Sequence, residues 1–136
     1  MFENKLVAIV NKDIETGVAM NAIAHMTIGL GAQLDNTQLR LDNYQDNHGN
    51  TYPNISQIPF IILRGKSGEI RKTVQAAKEH TIQFGAFLNT MTGGGYQEQL
   101  ANTLEKSEDQ LIYYGAVLFG PWEIVSQITK KLSLYK

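Results

Sequence analysis

The residues best suited to chemistry gather where an apolar run ends. Lys12 and Asp13 follow the segment KLVAIVN at residues 5–11, and Asn21 and His25 stand four positions apart on the uncharged stretch that comes next. An ammonium group beside a carboxylate at a strand end can orient a polar ligand, and α/β sheets open their ligand crevices at that edge. Asn21 supplies an amide donor and acceptor, while the His25 imidazole can act as a general base near neutral pH. Asn89, Thr90 and Thr92 add amide and hydroxyl groups at the end of a later apolar run. Lys12, Asn21, Asn89, Thr90 and Thr92 are therefore the candidate ligand-binding residues, and Asp13 and His25 the candidate catalytic ones.

Other chemistries lack their residues. The chain has no cysteine, which excludes a disulfide framework, a thiolate nucleophile and cysteine-ligated zinc or iron-sulfur centres. His25, His48 and His80 are dispersed without metal-ligand spacing, so no metal and no cofactor is expected. An EF-hand reading around Gly49 would put Tyr44 at the first ligand position, where an acidic side chain is required. The Thr92-Gly93-Gly94-Gly95 turn could present N–H groups to an anion but lacks the lysine and hydroxyl ending of a P-loop.

Composition narrows the class further. Twelve basic against thirteen acidic residues give a net charge of -1, so nothing draws the whole chain to a phosphate backbone and nucleic acid is disfavoured. The absence of cysteine and of a secretory pattern at the start points to the cytoplasm. A length of 136 residues with 43% hydrophobic content suits one domain, residues 1–136, with a proper core.

These side chains need a scaffold, and hydropathy outlines it. Residues 5–11 form an unbroken, β-branched apolar run, the mark of a strand covered on both faces and hence of a sheet centre. Asp13 or Thr16 can cap a helix over 18–33. Residues 35–58 are dense in Asn, Asp, Gly and Thr and read as a long surface excursion with a tight turn at 47–50. Strands follow at 59–64, 81–88 and 111–119, and helices at 69–80, 96–106, with Leu100 and Leu104 inward, and 122–132. Pro121 suits the first turn of that last helix. Strands alternating with helices describe an α/β domain with a largely parallel or mixed sheet.

From Thr16 to Leu34 no residue carries a formal charge. Asn21, His25, Thr27, Gln33 and two glycines argue against a membrane span. Met20, Ala24 and Ile28 set apolar groups opposite the core stripe, so protein must cover both sides. The expected partner is a second copy of the chain, in a homodimer or higher homo-oligomer. The rival is cover by residues 93–106 and the last helix within one chain.

The order of strand, Asn-Lys-Asp, Gly-Val-Ala-Met-Asn-Ala, GLGA, the loop YQDNHGNTYPNI, PFIIL and a closing YYGAVLFGP resembles the bacterial uncharacterised-domain family 2000 over nearly the whole chain. That family is grouped by fold with the type 2 peptidyl-tRNA hydrolases. The resemblance implies a three-layer α/β/α sandwich around a mixed four-stranded sheet. Asp13, Val18-Ala19, Asn21 and Gly120-Pro121 match the hydrolase outline. Two parts of that outline are missing. Gly17 runs directly into Val18 where the hydrolases carry a lysine, and residues 89–110 replace their Asp-Ala-Gly-x-Thr with a triglycine and a helix. The resemblance thus implies a non-catalytic or small-molecule-binding domain with a polar pocket at the strand ends. The alternative is a related ester or amide hydrolase with Asp13 or His25 as base.

Overall fold

The computed structural model describes residues 2–136. Strand β1 (Asn4–Asn11) lies inside a five-stranded sheet of order β5-β6-β1-β4-β7, parallel to β4 (Phe60–Gly65) and antiparallel to β6 (Tyr113–Pro121). Strand β5 (Gln83–Leu88) forms one edge beside β6, and the two-residue β7 (Ser133–Leu134) the other beside β4. The sequence reading expected four strands. The fifth is too short to leave an alternation pattern, and it exists because β4 offers a free edge for Leu63↔Leu134 and Arg64↔Ser133 pairing.

Alternation along β1 and β6 divides the core in two, since successive strand residues face opposite sides. Val7, Ile9, Ala116 and Leu118 pack with α3 (Ser67–Glu79) and α5 (Trp122–Thr129), through Ile70, Val74, Ala77 and Val125. Leu6, Ala8, Val117 and Phe119 pack with α1 (Thr16–Gln33), through Ala22, Met26 and Leu30. The buried stripe of α1 is narrow, consisting of Ala19, Ala22, Met26 and Leu30, and its alanines let the helix lie close to the sheet. Among the described residues no helix is long and apolar enough to cross a membrane.

Several local expectations are corrected. Residues 35–58 form the expected surface excursion with its tight turn at 47–50, but they carry regular structure. They hold the short helix α2 (Asn36–Leu39), closed by an Asp35/Gln38 capping box, and a separate hairpin of β2 (Leu41–Gln45) and β3 (Thr51–Ser56). Both strands are almost wholly exposed, so no inward face imposes apolar alternation on the sequence. Helix α1 starts from Glu15 without a side-chain cap, rather than from Asp13 or Thr16. Helix α4 (Tyr96–Leu104) turns its apolar stripe outward, with Leu100 and Leu104 exposed. Its polar side instead faces the body, where Thr103 Oγ1 lies 2.7 Å from the buried Thr90 Oγ1. Thr103 already donates to the Gln99 carbonyl, so Thr90 is the donor of that pair.

The hairpin turn is built on Asp46, whose carboxylate accepts from the His48 and Asn50 amides, the Asn50 side chain at 2.9 Å and the Tyr52 hydroxyl at 2.8 Å. Gly49, at φ 82°, supplies the left-handed residue that closes it. The Asn50 and Tyr52 side chains hold the Asp46 carboxyl down at about 2, from an ordinary 3.8. The folded carboxyl therefore binds its proton less readily than the unfolded one, and its contribution is complete above pH 3.8 and lost as pH falls through about 2. NMR amide signals of His48 and Asn50 should keep their folded shifts at pH 4 and collapse toward coil values below about pH 2. Asp46→Ala should show the collapsed spectrum at neutral pH.

Close approach of β1, β6 and α1 constrains Gly115. A methyl there would stand 3.0 Å from the Ile9 carbonyl oxygen and 2.8 Å from Met26 Cε. The methionine can swing aside, but the Ile9 carbonyl belongs to the central strand and cannot. Gly115→Ala should lower stability by about 1–3 kcal/mol, read as a lower denaturant midpoint with an unchanged slope.

Candidate functional site

Strands β1, β4 and β5 all end at the same edge of the sheet, where β6 begins. The first polar residue at that edge is Asn11, only 3% exposed. Its Nδ2 donates to the Tyr113 carbonyl at 2.9 Å, and its Oδ1 accepts from the Asp13 amide at 2.8 Å. One amide side chain thus ties the end of β1 to the start of β6 and sets the course of Lys12 and Asp13. The Lys12 amide donates to Gly65 O at 3.0 Å, and the Tyr113 amide to Ser67 Oγ at 2.8 Å. These bonds bind β1, β4, α3 and β6 into one rim.

Lys12 faces a polar pocket of about 280 Å³ shared with Arg64, Glu69, Lys131 and Ser133. Pairing of β7 on β4 sets Ser133 opposite Arg64 and so carries Lys131 to the strand ends. A second hollow of about 290 Å³ adjoins it, sharing Glu69, Lys131 and Leu132 and adding Lys72 and Lys130. Five of the chain's twelve basic residues therefore surround two hollows with a single carboxylate. That carboxylate, Glu69, accepts from the Lys66 amide through Oε1 at 2.9 Å as part of the α3 capping box and keeps its charge at the wall of both hollows. Among the described residues the one ion pair is Arg71 with Glu108, at 3.9 Å, so none of the five cations is paired with an acid. Arg64 and Lys131 escaped sequence reasoning. Arg64 reads as the last residue of a strand and Lys131 as a helix-terminal charge, and only the β4–β7 pairing unites them.

The other sequence candidates lie elsewhere. Asp13 and Asn21 are exposed. Asn89 joins β5 to β6, its amide donating to Ile112 O and its Oδ1 accepting from the Ile112 amide. Thr92 Oγ1 donates to Asn89 O at 2.8 Å, and Thr90 bonds Thr103 as described. These three side chains hold the turn between β5 and α4 together. His25 stacks on Phe87, with ring centroids 5.5 Å apart. It lines an open cleft of about 490 Å³ between α1, β5 and α4, with Gln33, Tyr96 and Gln99 as further polar groups. Lys12 and His25 thus occupy different hollows, and the candidates do not share a single cleft. Among the described residues no group of acidic and histidine side chains has the form of a metal site. Burial pushes the Tyr113 phenol up, with Glu108 adding to the effect and Arg71 opposing it, so the phenol stays protonated at neutral pH.

The family described as "Protein of unknown function (DUF2000)" matches residues 4–136. The chain belongs to that family. No curated protein matches it. A solved structure titled as a protein of unknown function, Atu0240 from Agrobacterium tumefaciens strain C58, is similar to it at 25% identity and a TM-score of 0.86, over 100% of both chains. That match extends over the rim and both hollows of this DUF2000 chain.

Asn11 is the residue on which the rim geometry turns. Replacing it by alanine leaves a buried carbonyl and an amide without partners, so Asn11→Ala should cost about 2 kcal/mol. Lys12→Ala, at an exposed position, should stay within about 0.5 kcal/mol of the parent in urea denaturation.

Proposed function

We propose that the chain is a non-catalytic domain that binds a small anionic molecule in the polar pocket at its strand ends. The observation that carries this reading is the convergence of Lys12, Arg64 and Lys131 on one pocket without an acid paired to any of them. Like charges held together raise each other's energy until an anion enters, and Arg64 can meet a carboxylate or phosphate with two parallel hydrogen bonds. The volume suits a small molecule rather than a polymer, and a net charge of -1 leaves the attraction local. The packing of α1 on one side of the sheet and of α3 and α5 on the other supports the three-layer sandwich of the type 2 peptidyl-tRNA hydrolases. A cysteine-free chain fits a cytoplasmic setting.

The second reading, an ester or amide hydrolase, draws on His25 in the cleft between α1, β5 and α4. Its stacking partner is apolar Phe87 and Asp13 stands outside that cleft, so it lacks the oriented acid that a histidine base requires.

Titration with inorganic phosphate and with citrate at low salt, read by thermal shift and calorimetry, separates the readings. Saturable stabilisation is expected, screened by added salt and weakened about tenfold in each of Arg64→Ala and Lys131→Ala. No stabilisation by either anion, or equal stabilisation of parent and variants, would overturn the proposal. Turnover of a nitrophenyl ester that is lost in His25→Ala would favour the hydrolase instead.

A further inference from the structure

We infer that a second copy of this chain covers the outward face of α1, forming a two-fold dimer. Met20 and Ile28 of that helix are 65% and 72% exposed. They border an apolar trough of about 510 Å³ completed by Ile23, Ala24, Thr27 and Phe60. On the other flank of the same helix runs the cleft lined by His25, Gly29 and Gln33. Helix α1 is thus a ridge between two hollows, with nothing of its own chain above it. The intrachain cover that would have left a monomer does not form, because α5 packs with α3 on the far side of the sheet and α4 turns its leucines outward.

Size and charge select the occupant. The helix has 18 residues, so it is about 27 Å long. With a hollow on each flank, its outward face offers a continuous surface along that length, with Met20 and Ile28 at its crest. A two-fold contact sets residues near its axis against their own copies, so any charge there meets its like. From Thr16 to Leu34 the chain carries none, which meets that condition over the whole helix. A membrane surface is a poor fit, since helices that lie on lipid carry lysines and arginines along their polar face. A partner recognised through charge has nothing here to recognise. The ridge Met20, Ala24, Ile28 has its smallest residue in the middle, where two such helices crossing at their i±4 rows come closest.

The test is light scattering and sedimentation of the full chain at micromolar concentrations, for the parent, Met20→Glu/Ile28→Glu and Leu100→Glu/Leu104→Glu. A dimer is expected for the parent and for the α4 variant. The α1 variant should associate at least about 100-fold more weakly, with a circular dichroism spectrum unchanged because both sites are exposed in the single chain. Ala24→Cys provides an independent readout, because in a cysteine-free chain the only disulfide it can form is between copies. Rapid oxidative cross-linking at that position is expected near the axis. A monomeric parent would overturn the inference, as would a dimer that survives glutamates on α1, one that only the α4 variant dissociates, or an Ala24→Cys protein that stays uncrosslinked.

Discussion

Strand β1 is the constraint on which the rest depends. It is hydrogen-bonded along both edges and buried on both faces, with Val7, Ala8 and Ile9 wholly inaccessible. From Leu6 to Val10, where both faces are covered, the strand carries no polar residue. Polarity therefore arrives all at once at Asn11, Lys12 and Asp13, and the first of these is buried with both ends of its amide satisfied. The cost of leaving a buried amide unpaired ties β1, the turn after it and the start of β6 together. Gly115 belongs to the same arrangement, since only a residue without a side chain lets β6 and α1 approach β1 so closely.

Around that centre the chain segregates its surface. Cations collect at the edge where β1 and β4 end, because β4, the segment leading into β7 and the turn after β1 each deliver one. Apolar side chains collect on α1, where a narrow buried stripe leaves much of a charge-free helix facing outward. A chain of net charge -1 with scattered ionic residues would show neither feature on average. The two surfaces lie on different parts of the fold, so an anion at the strand ends and a second copy over α1 need not compete.

Polar side chains outside the rim serve mainly to hold irregular backbone. Asn89, Thr90 and Thr92 close the turn after β5, Asp46 organises the hairpin, and Asp35 with Gln38 closes α2. Residue type alone cannot separate such a role from ligand binding, because the same hydroxyls and amides suit both. Their partners decide, and those partners are Ile112, Thr103 and Asn50, distant in sequence or inconspicuous in it.

What the sequence determined by itself was whatever hydrophobic burial writes locally. The unbroken apolar run of β1 announced a central strand, the period of α3 its buried side through Ile70, Val74 and Ala77, and the family motifs the membership. Lys12 was legible as a strand-end cation. Tertiary structure alone decided the rest. The hairpin β2–β3 left no pattern because neither of its faces is buried, and β7 left none because two residues cannot alternate. The placement of α4 sets Thr103 against Thr90 and leaves Leu100 and Leu104 outward. Arg64 and Lys131 became neighbours of Lys12 only when β7 paired with β4, since Arg64 and Lys131 stand 67 positions apart in the chain. Periodicity records which side of an element is buried. It does not record which elements meet, and the candidate site is made at such a meeting.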